Sequence, residues 1–126
     1  MGFEAFVVGE TTTPNIEPGD LLVIASGSGE TESLVSMAQK TKQYGALLAL
    51  VSIFPESSIG RLADIKIKIN APTPKVKTDT ALESIQPMGS LFEQSLLIFL
   101  DAVILRLMEK QGKSSDTMFG KHANLE

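Results

Sequence analysis

The chain has 126 residues, one histidine, no cysteine and a formal net charge of −4. Its length predicts one domain, and its acidic balance argues against a broad nucleic-acid-binding surface. The cysteine and histidine counts exclude a disulfide scaffold, a zinc-thiolate site and a multi-histidine metal site. No basic segment followed by an apolar one marks a signal peptide at the start, so we expect a cytoplasmic protein.

The first half of the chain predicts alternating strands and helices. Residues 5–8, 21–25 and 47–51 are continuous apolar runs, which are typical of strands covered on both faces of a parallel sheet. Residues 30–44 have helical periodicity, and Gly45 fits the glycine that often follows a helix. This order of elements predicts an α/β fold.

The next segment continues the pattern. Residues 57–63 predict a short helix capped by Ser57. Residues 65–69 alternate isoleucine with lysine, which predicts an edge strand with one face in water. Residues 71–81 contain two prolines, three threonines and two lysines, which is typical of a loop.

A long apolar helix is predicted over Leu91–Gln111. Charged residues interrupt it at Glu93, Asp101 and Arg106, so we do not interpret it as a membrane span. A helix that is apolar almost all round must be covered on several sides. We therefore expect a homo-oligomer, a dimer or a tetramer, in which this helix contacts a second subunit.

The strongest local motif links the apolar run 21–25 to the following helix. A loop of glycines and hydroxyl residues at such a junction can hold a phosphate, because backbone N–H groups, hydroxyls and the helix dipole all favour an anion there. The candidate phosphate-binding residues are Ser26, Gly27, Ser28, Gly29 and Thr31. The alternative is a tight turn in which Ser28 caps the helix. Because carboxylates would repel an anion, we expect Glu30 and Glu32 to point outward.

Two further side chains are catalytic candidates. Glu93 could be a partly buried carboxylate that moves a proton between carbon atoms. Its spacing from Ser90 also fits a capping box, in which the serine and the glutamate satisfy the first backbone N–H groups of a helix. His122 is the single imidazole. It is either an exposed residue of the tail or a group that the tail folds over a pocket.

Several segments together resemble the 6-phospho-3-hexuloisomerases, a family of sugar isomerases with a SIS domain. The more specific segments are Gln86–Glu93 and Phe119–Glu126. The others are Val8–Pro14, Gly19–Leu22, Ser26–Thr31 and Phe54–Gly60. The resemblance extends over the whole chain, and the Ser-Gly-Ser-Gly loop alone is shared by many SIS proteins.

The resemblance implies an isomerase that interconverts D-arabino-hex-3-ulose 6-phosphate and fructose 6-phosphate through a cis-enediol, in the ribulose monophosphate pathway of formaldehyde fixation or detoxification. Ser26, Ser28 and Thr31 would bind the substrate phosphate. Glu93 would transfer the proton between C2 and C3, assisted by His122. The family needs neither a metal nor an organic cofactor, and its members are usually tetramers.

The resemblance also implies the fold, a flavodoxin-like three-layer parallel sheet with residues 1–126 as a single, partial SIS domain. Family members extend further at the N-terminus by roughly 60 residues, which carry a helix and the first, central strand of a doubly wound sheet. The strands at Phe6 and Val23 would then face a gap in the sheet. Alternative functions are a non-catalytic SIS sugar-phosphate sensor and a flavodoxin-like binding module.

Overall fold

The computed structural model describes residues 2–73 and 83–120. Within these ranges it contains three strands and four helices. In chain order they are β1 (Leu21–Ala25), α1 (Glu32–Gln43), β2 (Leu47–Ser52), α2 (Ser58–Leu62), β3 (Ile65–Lys68), α3 (Ser90–Lys110) and α4 (Ser115–Phe119). The chain divides into two compact units, one of residues 15–96 and the other of residues 1–14 and 97–126.

The unit of residues 15–96 is built on a parallel sheet with the order β1-β2-β3. Leu21 of β1 lies opposite Leu47 of β2, and Ala49 of β2 lies opposite Ile65 of β3. The parallel α/β architecture predicted from the apolar runs is therefore confirmed, as is the position of β3 at an edge of the sheet. Gly45 follows α1 with a φ of 74°, as its role after the helix requires.

One face of this sheet forms the hydrophobic core. Ile24, Leu48 and Leu50 point to the side on which Ala38 of α1 and Ile59 of α2 pack, and all five are buried. Burial of such side chains contributes roughly 1.5–3 kcal/mol each for the large aliphatic ones. The opposite face of the sheet carries half-exposed apolar side chains, namely Leu21, Val23, Leu47 and Ile65.

An ion pair fastens α1 to the sheet at the end where the strands begin. The ammonium of Lys42 lies 2.7 and 2.6 Å from the two carboxylate oxygens of Asp64. One of these oxygens also accepts a hydrogen bond from the backbone N–H of Leu48, 2.8 Å away. Both contacts favour the ionised carboxyl, and together they lower the pKa of Asp64 below its usual range.

We expect this lowered pKa to make stability depend on pH. Because the folded state holds the carboxylate ionised, its contribution is complete at neutral pH. It falls once the pH drops below about 4, the usual range of an aspartate, and is lost below the lower pKa of the folded protein. Asp64→Asn should therefore lower the Tm at pH 7 and lose less Tm than the parent between pH 7 and pH 3, as measured by circular dichroism.

The control is Glu4→Gln, which removes an exposed carboxylate that has no bonding partner in the described part of the chain. Its Tm should follow that of the parent at both pH values. An Asp64→Asn variant with the parent's pH dependence would contradict the assigned role of the ion pair.

The strand predicted over residues 5–8 was wrong. Residues 2–6 form no regular element, a turn begins at Val7, and Phe6, Val7 and Val8 are half-exposed or exposed. The carbonyl oxygen of Val7 accepts hydrogen bonds from the N–H of Glu10 and the hydroxyl of Thr13, at 3.1 and 2.6 Å. These local bonds close a turn and use an acceptor that a strand would need for its neighbour.

The unit of residues 1–14 and 97–126 includes most of α3 and all of α4. The helix predicted over 91–111 is confirmed as Ser90–Lys110, whereas α4 was not predicted. Its signal is Ser114 with Thr117, which form a reciprocal capping box. No helix in the described ranges is long and apolar enough to cross a membrane.

Candidate functional site

The candidate site is the loop of residues 26–31, between the carboxyl end of β1 and the first turn of α1. The N–H of Ser26 continues the sheet by donating to the carbonyl of Val51, 3.0 Å away. Ser26 is buried, and its hydroxyl oxygen accepts a hydrogen bond from the N–H of Gly29 at 3.1 Å. The hydroxyl oxygen of Ser28 accepts from the N–H of Glu30 at 3.3 Å. Each serine hydroxyl still has its own hydrogen to donate.

The neighbouring strand supports this loop from one side. The carbonyl oxygen of Gly27 accepts hydrogen bonds from the N–H of Ile53 and the hydroxyl of Ser52, both at 3.2 Å. Ser52 is completely buried and also accepts from the N–H of Phe54 at 3.0 Å. Within the described ranges the N–H groups of Gly27 and Ser28 donate to no protein acceptor. These two donors are thus available at the end of the sheet.

The first turn of α1 adds further donors beside the loop. Thr31 is the N-cap residue, and its side chain makes no capping hydrogen bond. The alternative that Ser28 caps this helix was therefore wrong. The first N–H groups of a helix lack intrahelical acceptors and carry the positive end of its dipole. The exposed Thr31 and these N–H groups form a site that can hold an anion.

The two glycines of the loop have different surroundings. Gly29 has a φ of 65°, and a Cβ atom there would lie 2.0 Å from the hydroxyl oxygen of Ser57. Gly27 has room for a Cβ atom, which would lie 3.7 Å from Ile53 and 3.8 Å from the ring of Phe92. Gly29 is therefore needed by the fold itself, whereas the fold leaves room for a side chain at Gly27.

Glu93 follows Phe92, the buried residue that lies against Gly27. The Glu93 side chain is exposed, so the partial burial expected for it is not provided by this chain. The capping box with Ser90 is not formed either, because Ser90 is the first residue of α3 rather than its cap, and the N–H of Glu93 donates to the carbonyl of Gly89 at 3.1 Å. Within the described ranges the Glu93 carboxylate has no bonding partner. His122 lies outside the described residues.

Three residues that support the loop were not predicted from the sequence to do so. Ser52 supports Gly27, Ser57 packs against Gly29, and the carboxylate of Glu30 accepts a hydrogen bond from the N–H of Ser58 at 2.7 Å. Glu30 is exposed as expected, but it is not free. A signal for Ser52 was present, since the carboxyl ends of adjacent parallel strands meet at one edge of a sheet.

The fold and this loop can be compared with known proteins. Residues 5–98 match the SIS domain. The chain belongs to the SIS domain family. It is 55% identical to the 3-hexulose-6-phosphate isomerase of Bacillus subtilis over 126 residues, which is 100% of this chain and 68% of the relative. It is 37% identical to the 3-hexulose-6-phosphate isomerase of Methylomonas aminofaciens, over 99% of this chain and 67% of that one.

A solved structure is also similar to this chain. A crystal structure of a hypothetical protein from Methanococcus jannaschii, for which a 3-hexulose-6-phosphate isomerase function was inferred, aligns with a TM-score of 0.84 and 34% identity. The alignment covers 99% of this chain and 65% of that protein. The chain thus spans about two thirds of the length of these relatives.

Proposed function

We propose that this chain acts in the interconversion of D-arabino-hex-3-ulose 6-phosphate and fructose 6-phosphate. The observation that carries the proposal is the 55% identity, along the whole chain, to the 3-hexulose-6-phosphate isomerase of Bacillus subtilis. At that level of identity the site residues and the fold that positions them are expected to be shared. The reaction belongs to formaldehyde fixation or detoxification through the ribulose monophosphate pathway, and we place the protein in the cytoplasm.

In this proposal the loop of residues 26–31 binds the phosphate of the sugar. The binding residues are Ser26, Gly27, Ser28, Gly29 and Thr31. The free N–H groups of Gly27 and Ser28, the hydroxyl of Thr31 and the first turn of α1 support this assignment. All are donors, and the phosphate supplies only acceptors at neutral pH, so the two sets are complementary.

Glu93 is the proposed base of the isomerisation. Starting from fructose 6-phosphate, its carboxylate removes the proton from C3, the C–H electron pair forms the C2–C3 double bond, and the π pair of the C2 carbonyl moves to O2 to give an enediolate. The proton returns to C2 while the hydroxyl proton moves from O3 to O2, which leaves the ketone at C3. His122 is proposed to assist with the hydroxyl protons. A carboxylate free of protein partners supports this role for Glu93, because it can accept a proton without breaking a bond in the fold.

Proton NMR in D2O tests the proposed function. The full chain is incubated with fructose 6-phosphate, beside the Bacillus subtilis relative as a positive control. We expect the C3 proton signal to disappear through exchange, or signals of the 3-ketose to appear. Phosphate-ester binding without either change would instead favour the non-catalytic sugar-phosphate sensor. No binding and no exchange would reject both functions.

We also propose that α3 contacts a second copy of this chain. Leu97, Ile98 and Leu105 are 63%, 70% and 65% exposed. Ile98 and Leu105 are seven residues apart and so lie on one face of the helix. Large apolar side chains grouped in this way are typical of an interface between subunits. We expect sedimentation equilibrium to give a mass of two or four times 13.5 kDa.

The double variant Ile98→Glu with Leu105→Glu should reduce that mass to a single chain, because charges at the interface would lose their hydration. The control is Gln111→Glu, at an exposed position just beyond α3. A monomeric parent protein would contradict the proposed assembly.

A further inference from the structure

The Glu30 side chain is an unexpected feature of a loop proposed to bind an anion. Its carboxylate oxygen Oε1 lies 2.7 Å from the backbone nitrogen of Ser58, which donates the hydrogen bond. Ser58 is the first residue of α2. The contact joins two residues 28 positions apart in the chain. It therefore links the loop of residues 26–31 directly to α2.

Two more contacts lie beside this one. The N–H of Ile59 donates to the carbonyl of Gly29 at 3.2 Å. Gly29 also packs against Ser57, whose hydroxyl oxygen accepts from the N–H of Gly60 at 3.3 Å. The first three N–H groups of α2 are thus satisfied, two of them by residues of the phosphate loop. The end of the loop rests on α2 through a set of adjacent bonds.

The direction of the Glu30 side chain also has an electrostatic consequence. The hydrogen bonds from Ser58, with a smaller contribution from the charge of Arg61, lower the pKa of Glu30. The guanidinium of Arg61 itself bonds the hydroxyl of Ser58 and the carbonyl of Glu56, both at 3.1 Å. Glu30 is therefore ionised at neutral pH, and its charge is balanced on the α2 side of the loop. Glu32, the other acid here, has no bonding partner in the described part of the chain.

We propose that Glu30 is a positioning residue, whose carboxylate holds the loop of residues 26–31 against α2 in the shape that binds the substrate phosphate. This inference rests on the proposed function of that loop. Glu30 does not touch the substrate. Its bond to Ser58 keeps the loop in the geometry that binds. The ligand therefore does not have to order the loop when it binds, and the affinity is higher.

The test is a titration of the full chain with fructose 6-phosphate, with fructose as the unphosphorylated control, followed by calorimetry. Glu30→Ala should weaken binding by about tenfold or more, since a charge-assisted hydrogen bond is lost. Glu30→Gln keeps an acceptor oxygen and should recover most of the affinity. Glu32→Gln removes a neighbouring negative charge without removing a bond, so it should bind as tightly as the parent or more tightly.

A second variant removes the other partner of the bond. Ser58→Pro deletes the donor N–H at the first position of α2, where proline is well tolerated. Ser57 before it has a ψ of 175°, which suits a residue preceding proline. Ser58→Pro should weaken binding about as much as Glu30→Ala, and the double variant should be no weaker than either alone. A merely stabilising role would instead lower the Tm of these variants and leave their affinity for fructose 6-phosphate unchanged.

The outcomes separate this inference from the proposed function. A parent chain that binds fructose 6-phosphate, together with a Glu30→Ala variant of equal or greater affinity, overturns the role of Glu30 alone. A folded parent chain that does not bind fructose 6-phosphate overturns the phosphate site, and the role of Glu30 with it. The inference would also be overturned if the losses of affinity in the two single variants added together in the double variant.

Discussion

Glu93→Gln is expected to reduce kcat by about 10²- to 10⁴-fold, the usual contribution of a general base, with little change in the KM for fructose 6-phosphate. The glutamine has nearly the same shape but cannot accept the C3 proton at neutral pH. Since the Glu93 side chain is exposed and has no partner within the described ranges, the fold should not change. Steady-state kinetics on the form of the protein that shows exchange in D2O would measure both parameters.

The matched control is Glu4→Gln, which makes the same substitution at another exposed carboxylate that has no bonding partner in the described part of the chain. Its kcat should equal that of the parent. A Glu93→Gln variant that keeps the parent's kcat would remove Glu93 from the chemistry. A fall in Tm without a fall in kcat would point to a structural role at the start of α3, although the capping box that would explain it is absent from the structure.

The parts of the site that sequence patterns predicted are those encoded locally. The apolar run of β1, the glycine-hydroxyl loop and the periodicity of α1 follow one another in the chain, and each pattern is complete within a few residues. The cap at Ser57 is equally local, since its oxygen accepts from the N–H only three residues on. The local sequence pattern was therefore sufficient to predict where a phosphate could bind.

Contacts between distant residues were not predictable in the same way. The bond from Ser58 to Glu30 and the packing of Ser57 on Gly29 depend on how α2 lies beside the loop. The strand expected over residues 5–8 failed for a related reason, because β-propensity alone does not supply a neighbour for the backbone groups of a strand. Val7 instead bonds within its own turn.

Gly29→Ala should have a large effect on stability, lowering the free energy of unfolding by about 3 kcal/mol or more. The left-handed backbone conformation destabilises a residue with a side chain by about 1–2 kcal/mol, and overpacking adds roughly 1–3 kcal/mol. Rotation of the Ser57 hydroxyl would not relieve the overlap, since the new Cβ atom would also lie 2.5 Å from the Cβ of Ser57. The loop or the start of α2 must shift. Thermal unfolding should show a Tm lower by roughly 10 °C.

Gly27→Ala is the matched variant, and it separates the fold from the site. Its added methyl group would make only ordinary contacts, at 3.7 Å or more, so the Tm should stay close to that of the parent. The same methyl group would stand beside the free N–H groups of Gly27 and Ser28, so binding of fructose 6-phosphate should weaken. A Gly27→Ala variant with the parent's affinity would mean that the phosphate does not approach this part of the loop. Equal Tm values for the two variants would contradict the separate roles of the two glycines.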